Sequence, residues 1–207
     1  MIWASLFVML FSYAGKALEQ APAVPFWKSN EKIYRRIQEE RAIVVAVHTN
    51  PIPSGETLVI NGGGQISTPI TFAFKEALNF DNLKEVSDYV KEVRSENGQL
   101  FFRSKAYGYE AAMWLKITST PSSSIHFEVV RGTLKGLKGD LHFDKISSFK
   151  TEIGISGQYD YVKFPIAKIF AEFGIEVVLQ RMAIRLRSLI EERYRSGPKV
   201  VKANGER

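Results

Sequence analysis

The chain contains no cysteine. That excludes disulfides, thiolate nucleophiles and cysteine-ligated zinc, and it is compatible with either redox compartment. Histidine is scarce, at three residues in 207, and none stands in an H-E-x-x-H arrangement. An H-x-E triplet occurs at His126-Phe127-Glu128, but the zinc deaminases that carry such a triplet also need P-C-x-x-C. His126 and His142, with Glu128 and Asp144 beside them, read as solvated cross-strand polar pairs, with a surface metal site as the weaker alternative. There is no G-x-S-x-G nucleophile elbow, no EF-hand loop, no internal repeat and no low-complexity tract. The adjacent carboxylates Glu39-Glu40 and Glu191-Glu192 diverge on helices and read as solvated faces. Nothing in the sequence asks for a cofactor. Long hydrophobic runs are missing as well. The apolar stretch Ile2–Phe11 is about half of the roughly twenty residues that a membrane-spanning helix needs.

That stretch reads as the apolar region of a secretory signal peptide over residues 1–17. Small residues at Ser12 and Ala14, or Gly15 and Ala17, offer cleavage sites, although no Lys or Arg precedes the run. An uncleaved anchor and a buried N-terminal strand are the alternatives. The expected location is secreted or periplasmic.

Charge is uneven. The net charge is +6. From Arg181 onward eight basic residues (Arg181, Arg185, Arg187, Arg193, Arg195, Lys199, Lys202, Arg207) face three acidic ones (Glu191, Glu192, Glu206), so this end carries +5 of it. A last helix whose cations complement its dipole, followed by a basic tail over 196–207, accounts for this. Attraction to an anionic membrane surface is the sharper reading. Nucleic acid is not expected, because Tyr194 is the only stacking aromatic among these cations.

Hydrophobic residues make up 45% of the chain and charged residues 24%, as in a globular protein. After a linker, Ser29–Glu40 shows helical charge pairing and Arg41–Thr49 is β-branched like a strand. Asn50–Gly55 reads as a turn. Thr57–Ser67 reads as a strand whose Gly62-Gly63-Gly64 marks a bulge or bend. Thr68 and Pro69 open a helix to about Leu78, and Asp81 or Asn82 opens a second to about Val90. From Leu100 to Ile155 apolar residues alternate with polar ones in five successive segments, an antiparallel meander with one face buried. A long helix follows from Pro165 to about Arg195. Ile166, Ile169, Phe170, Phe173, Val177 and Ile184 share one face of it. Ile175, Leu179, Met182, Leu186 and Ile190 form a second stripe.

The connection Arg131–Phe143, RGTLKGLKGDLHF, carries three glycines. Their spacing is not that of a P-loop, and a strand rather than a helix follows. Gly132, Gly136 and Gly139 are therefore conformational, with Leu134 and Leu137 packed beneath them. The pattern Gly132, Leu134, Leu137, Gly139, Leu141, Phe143 resembles one carried by the START-like superfamily, in particular its polyketide cyclase/dehydrase and coenzyme Q-binding group. The segment from Ile66 to Val93, a Pro-started helix and an Asn/Asp-led second one, resembles that group's opening. Two of the group's aromatic positions are held by Leu134 and Leu141.

The resemblance covers about 57–195, with residues 18–56 as a linker plus an added helix and strand. It implies an α+β helix-grip fold: a curved antiparallel sheet wrapped around a long C-terminal helix, with two short helices after the first strand. It also implies an internal apolar cavity. The expected lining is Phe74, Leu83, Tyr89, Phe102, Met113, Leu115, Phe127, Val129, Ile169, Phe170, Phe173 and Val177, with Gln180 and Arg181 as polar contacts for a ligand head group.

The alternative to a cavity is that these side chains simply fill the interior. The function expected is non-catalytic binding or transport of a lipid, quinone or polyketide-like molecule, the helices of Thr71–Val90 serving as the gate. An enzyme of the cyclase/dehydrase kind is the first alternative. A protein-interaction module using the second helix stripe is the other.

Overall fold

The computed structural model describes residues 26–106, 108–162 and 168–197, without the side chains of Phe26, Ala106, Tyr109 and residues 168–171. The expected signal peptide, Pro165, Ile166 and the tail cations Lys199, Lys202 and Arg207 lie outside the described residues, as do the side chains of Ile169 and Phe170.

Two N-terminal helices, α1 (Phe26–Ser29) and α2 (Glu31–Glu39), precede the sheet. Asn30 caps α2, its side-chain oxygen accepting the Ile33 N–H at 3.2 Å. Then follow β1 (Val44–Ile52), β2 (Gly55–Ile66), α3 (Ile70–Ala77) and α4 (Asn82–Val86). Six strands come next: β3 (Val90–Glu96), β4 (Gln99–Ala106), β5 (Tyr109–Thr120), β6 (Ser124–Gly132), β7 (Lys138–Ser147) and β8 (Lys150–Tyr161). Helix α5 (Lys168–Arg195) closes the chain. All eight strands form one antiparallel sheet in the order β1-β2-β8-β7-β6-β5-β4-β3. The meander thus has six strands, one more than its alternation announces, because β3 occupies a stretch beyond the expected second helix where no alternation shows; that helix itself ends early, at Val86. The segment Asn50–Ile52 is strand, not turn. Pro51 is tolerated there because β1 is an edge strand and needs no ladder donor on its outer side.

The glycine run in β2 is not a bulge. Gly62, Gly63 and Gly64 pair in unbroken register with β1 and β8. What they provide is room. A Cβ on Gly63 would lie 2.7 Å from the Trp27 ring, and one on Gly154, its partner in β8, would lie equally close. Trp27 is buried against this flat patch on the outer face, and its Nε1 donates to Glu152 at 3.5 Å. Lys28 closes the edge, 2.7 Å from Glu152 and 3.1 Å from Asp144. Farther along the same face the Phe101 and Trp114 rings meet at a tilt, 4.8 Å apart, with Arg94 over one ring and Arg131 over the other.

In the β6–β7 connection Gly132 and Gly136 adopt positive φ of 94° and 97°. Gly139 is instead a point of close approach, with Ser156 O 2.2 Å from where a Cβ would stand.

Helix α5 meets the sheet with the stripe opposite to the one expected. Ile175 and Leu179 pack on Val45, Val47, Leu58 and Ile60, Met182 packs on the cluster of Val90, Val93 and Leu100, and Ile190 is fully buried. The interaction-module reading of this stripe therefore fails, since the chain itself covers it. Phe173 and Ile184, on the face expected to look inward, are 67% and 40% exposed. Between the stripes a polar row serves the unpaired edge of β1. Glu172 accepts from Thr49 Oγ1, Glu176 from the Val47 N–H at 3.3 Å, and Gln180 donates to Ile43 O at 3.2 Å. Covering an edge strand in this way blocks pairing with another chain.

Candidate functional site on the concave face

Cross-strand register sets which side chains share the inner face. From one edge to the other these include Val45 and Val47; Leu58 and Ile60; Ile153, Ile155, Tyr159 and Tyr161; Leu141 and Phe143; Ile125, Phe127 and Val129; Met113, Leu115 and Ile117; Leu100 and Phe102; and Val93. They do not condense into one core. One buried cluster lies under α5, around Leu58, Ile60 and Tyr161. A second lies under α3, where Phe74 meets Phe143 edge-on at 5.2 Å above Ile125. The third, Val90, Val93 and Leu100, lies under α4, with Leu83 and Met182 against it. Between them Phe102, Leu115, Ile117, Phe127, Leu141, Ile153 and Ile155 are only half-buried. A filled domain interior buries its central apolar side chains fully. Here Ile117, Leu141 and Ile153 pack against the second cluster and Phe102, Leu115 and Ile117 against the third, and all stay partly accessible. Helix α5 approaches β1 and β2 and the helices α3 and α4 instead of lying across the middle strands. Gly139 and Gly157 stand opposite each other in β7 and β8, and the Phe127 ring takes the space, its Cζ 2.6 Å from a would-be Gly139 Cβ.

The described residues of the expected lining separate into four sets. Phe102, Leu115 and Phe127 are half-buried on the inner face. Phe74, Met113 and Val129 are buried there, and Leu83 packs beside the third cluster. Tyr89 and Arg181 line a cleft of about 100 Å³ between α4 and α5, with Val86, Ser87, Asp88, Met182 and Arg185. Phe173 faces outward, Val177 is half-buried next to it on the wheel, and Gln180 is engaged with the β1 edge. Inner-face residues outside the expected set include Ile117, Leu141, Ile153, Ile155, Tyr159 and Tyr161. Continuing the period-two pattern of β8 from Ile153 through Gly157 to Tyr161 would have found the last four.

The two tyrosines put a polar patch at one end of the apolar surface. Their rings stack 5.7 Å apart, and the Tyr161 hydroxyl donates to Glu56 at 3.0 Å. Burial, reinforced by the Glu56 carboxylate, pushes the Tyr161 phenol up to about 12. It stays neutral at physiological pH and acts as a hydrogen-bond donor.

Helices α3 and α4, expected to gate the cavity, are tied to the last turns of α5. Arg193 bonds Glu76 at 2.9 Å, Asn82 Oδ1 at 2.6 Å and Glu85 at 2.8 Å. Phe72 and Tyr194 lie 5.1 Å apart. Four of the five described basic residues at this end are thereby engaged within the molecule: Arg193 here, Arg185 on Val86 O and Asp88, Arg187 on Arg41 O, and Arg195 on Glu191 O at 3.3 Å.

On the outer face His126 lies 3.0 Å from Asp140 in an open polar trough of about 450 Å³ lined also by Asn61, Lys138, Ser156 and Gln158. Among the described residues no group of three or more His, Asp or Glu is placed to hold a metal ion.

No family model matches the sequence, and no curated protein is similar to it in sequence. Solved structures are similar in fold. The Zhui aromatase/cyclase of Streptomyces sp. R1128 superposes with a TM-score of 0.56 at 9% identity, over 69% of this chain and 98% of that one. A START superfamily protein of Mycobacterium smegmatis gives 0.55 at 11% identity, over 65% and 97%. The fold is START-like. A protein of Thermus thermophilus agrees, with a TM-score of 0.54 at 15% identity over 68% and 99%. At these identities the likeness is one of architecture. In this START-like fold β1 lies on the outer edge of β2, ahead of the two short helices, six strands and long helix that follow β2 in the chain.

Proposed function

We propose that this START-like protein binds a hydrophobic small molecule, a lipid, quinone or polyketide-like compound, against the concave face of its sheet, as an exported, non-catalytic carrier. The observation that carries the reading is the apolar strip of Phe102, Leu115, Ile117, Leu141 and Ile153, which packs against the second and third clusters yet stays only half-buried. A ligand covering about 300 Å² of such surface gains roughly 7 kcal/mol before the costs of association. Tyr161 at the end of the strip, its proton donated to Glu56, offers its hydroxyl oxygen as an acceptor for a ligand donor.

The aromatase/cyclase neighbour motivates a second reading, an enzyme of the cyclase/dehydrase kind. Its acid would be Tyr161, paired with Glu56. A phenol raised to about 12 is a poor proton donor at neutral pH, and this ranks the carrier first.

The test is native mass spectrometry of the folded chain purified without detergent, with organic extraction of the same sample. The expected result is a co-purifying apolar species or stoichiometric uptake of an added quinone or fatty acid. Neither, in a folded sample, contradicts the proposal.

A further inference from the structure

We propose that the outer face of α5 docks on an anionic lipid surface. The inner stripe of this helix is accounted for by the sheet, which leaves the other apolar row without a partner in the described structure. Phe173, Val177 and Ile184 fall within about 40° of one another on a helical wheel. Phe173 is 67% and Ile184 40% exposed, and just ahead of the helix Val162 is 87% exposed. A surface helix normally shows one apolar stripe, and an exposed second one marks a contact.

Charge chooses the occupant. Arg181 and Arg195, both exposed, lie alongside the row, on a helix whose six basic residues outnumber its four acidic ones. Aromatic and aliphatic side chains interleaved with arginine suit the boundary between acyl chains and anionic head groups. This assigns membrane attraction to the helix face and not to the tail, and it does not depend on whether the concave face holds a ligand.

The experiment is co-sedimentation of the full chain with vesicles of phosphatidylcholine alone, or with about a quarter phosphatidylglycerol, at low and physiological salt. Binding is expected to the anionic vesicles only. Phe173→Ser is expected to weaken it at least about tenfold and Arg181→Ser about fivefold, with thermal melting unchanged in both because the side chains are exposed. The N-terminal apolar run is present in every variant and cannot produce the difference. Equal binding by wild type and Phe173→Ser, equal binding to neutral vesicles, or no vesicle binding overturns the proposal. So does self-association in sedimentation velocity that Phe173→Ser abolishes, which gives the face to a second copy of the chain.

Discussion

Trp27 occupies the space that a side chain at Gly63 would need, with its Cε2 2.7 Å from the would-be Cβ. The indole thereby fastens the N-terminal helices to the outer face of β2 and β8. A Gly63→Ala change drives a methyl into a buried ring and is expected to cost about 1–3 kcal/mol. Trp27→Ala is expected to cost about 3–5 kcal/mol. In the double variant the alanine at 63 costs much less, because its obstacle is gone. Urea unfolding of the four proteins measures this, and strictly additive losses contradict the packing.

Arg193 joins three helices through Glu76, Asn82 and Glu85. Asn82 is buried and also donates to Glu76 O at 2.9 Å. Removing the guanidinium leaves those acceptors without their cation, so Arg193→Ala is expected to destabilise by about 1–3 kcal/mol. The loss is local. Amide exchange is expected to quicken in α3 and α4 while the central strands keep their protection. Uniform loss of protection contradicts the clamp.

The Tyr161 phenol, raised from 10.0 to about 12 by burial and by Glu56, gives an alkaline signature. A group whose folded pKa lies above its unfolded one contributes stability that is complete below the unfolded value and lost as pH rises through the folded one. The contribution is thus intact below pH 10.0 and fades toward pH 12. Rapid pH jumps read by tyrosinate absorbance are expected to show one phenol ionising late, a step missing from Tyr161→Phe. Ionisation of that phenol near its ordinary value contradicts the buried pair.

The architecture was legible because it rests on local pattern. Alternation from Leu100 to Ile155 announced the meander, the first short helix follows Pro69, which caps it in place of Thr68, and the last helix ends at Arg195 as expected. What escaped depends on contacts distant in sequence. In β3 Val90 and Val93 are the only apolar residues, and a register shift between Val90 and Glu92 breaks the alternation, so this charged edge strand carries no period-two signal. The glycines of β2 are explained by Trp27, which no local rule connects to them. The wheel found both stripes of α5 but not which one meets the sheet. That choice is made by Glu172, Glu176 and Gln180, which serve the edge of β1 and turn Ile175 and Leu179 inward. For the candidate site this has a direct consequence. Sheet residues such as Phe102, Leu115 and Phe127 lie on the inner face as alternation placed them, while Phe173 on the helix does not.

Fluorescence titration with a quinone analogue or a fluorescent fatty acid tests the open apolar strip most directly, in wild type and in an Ile117→Trp variant that fills its middle. Saturable uptake of one molecule per chain, weakened at least about tenfold by the tryptophan while the fold stays intact, is the expected result. Absence of uptake by the folded protein, or uptake indifferent to the filling side chain, contradicts it.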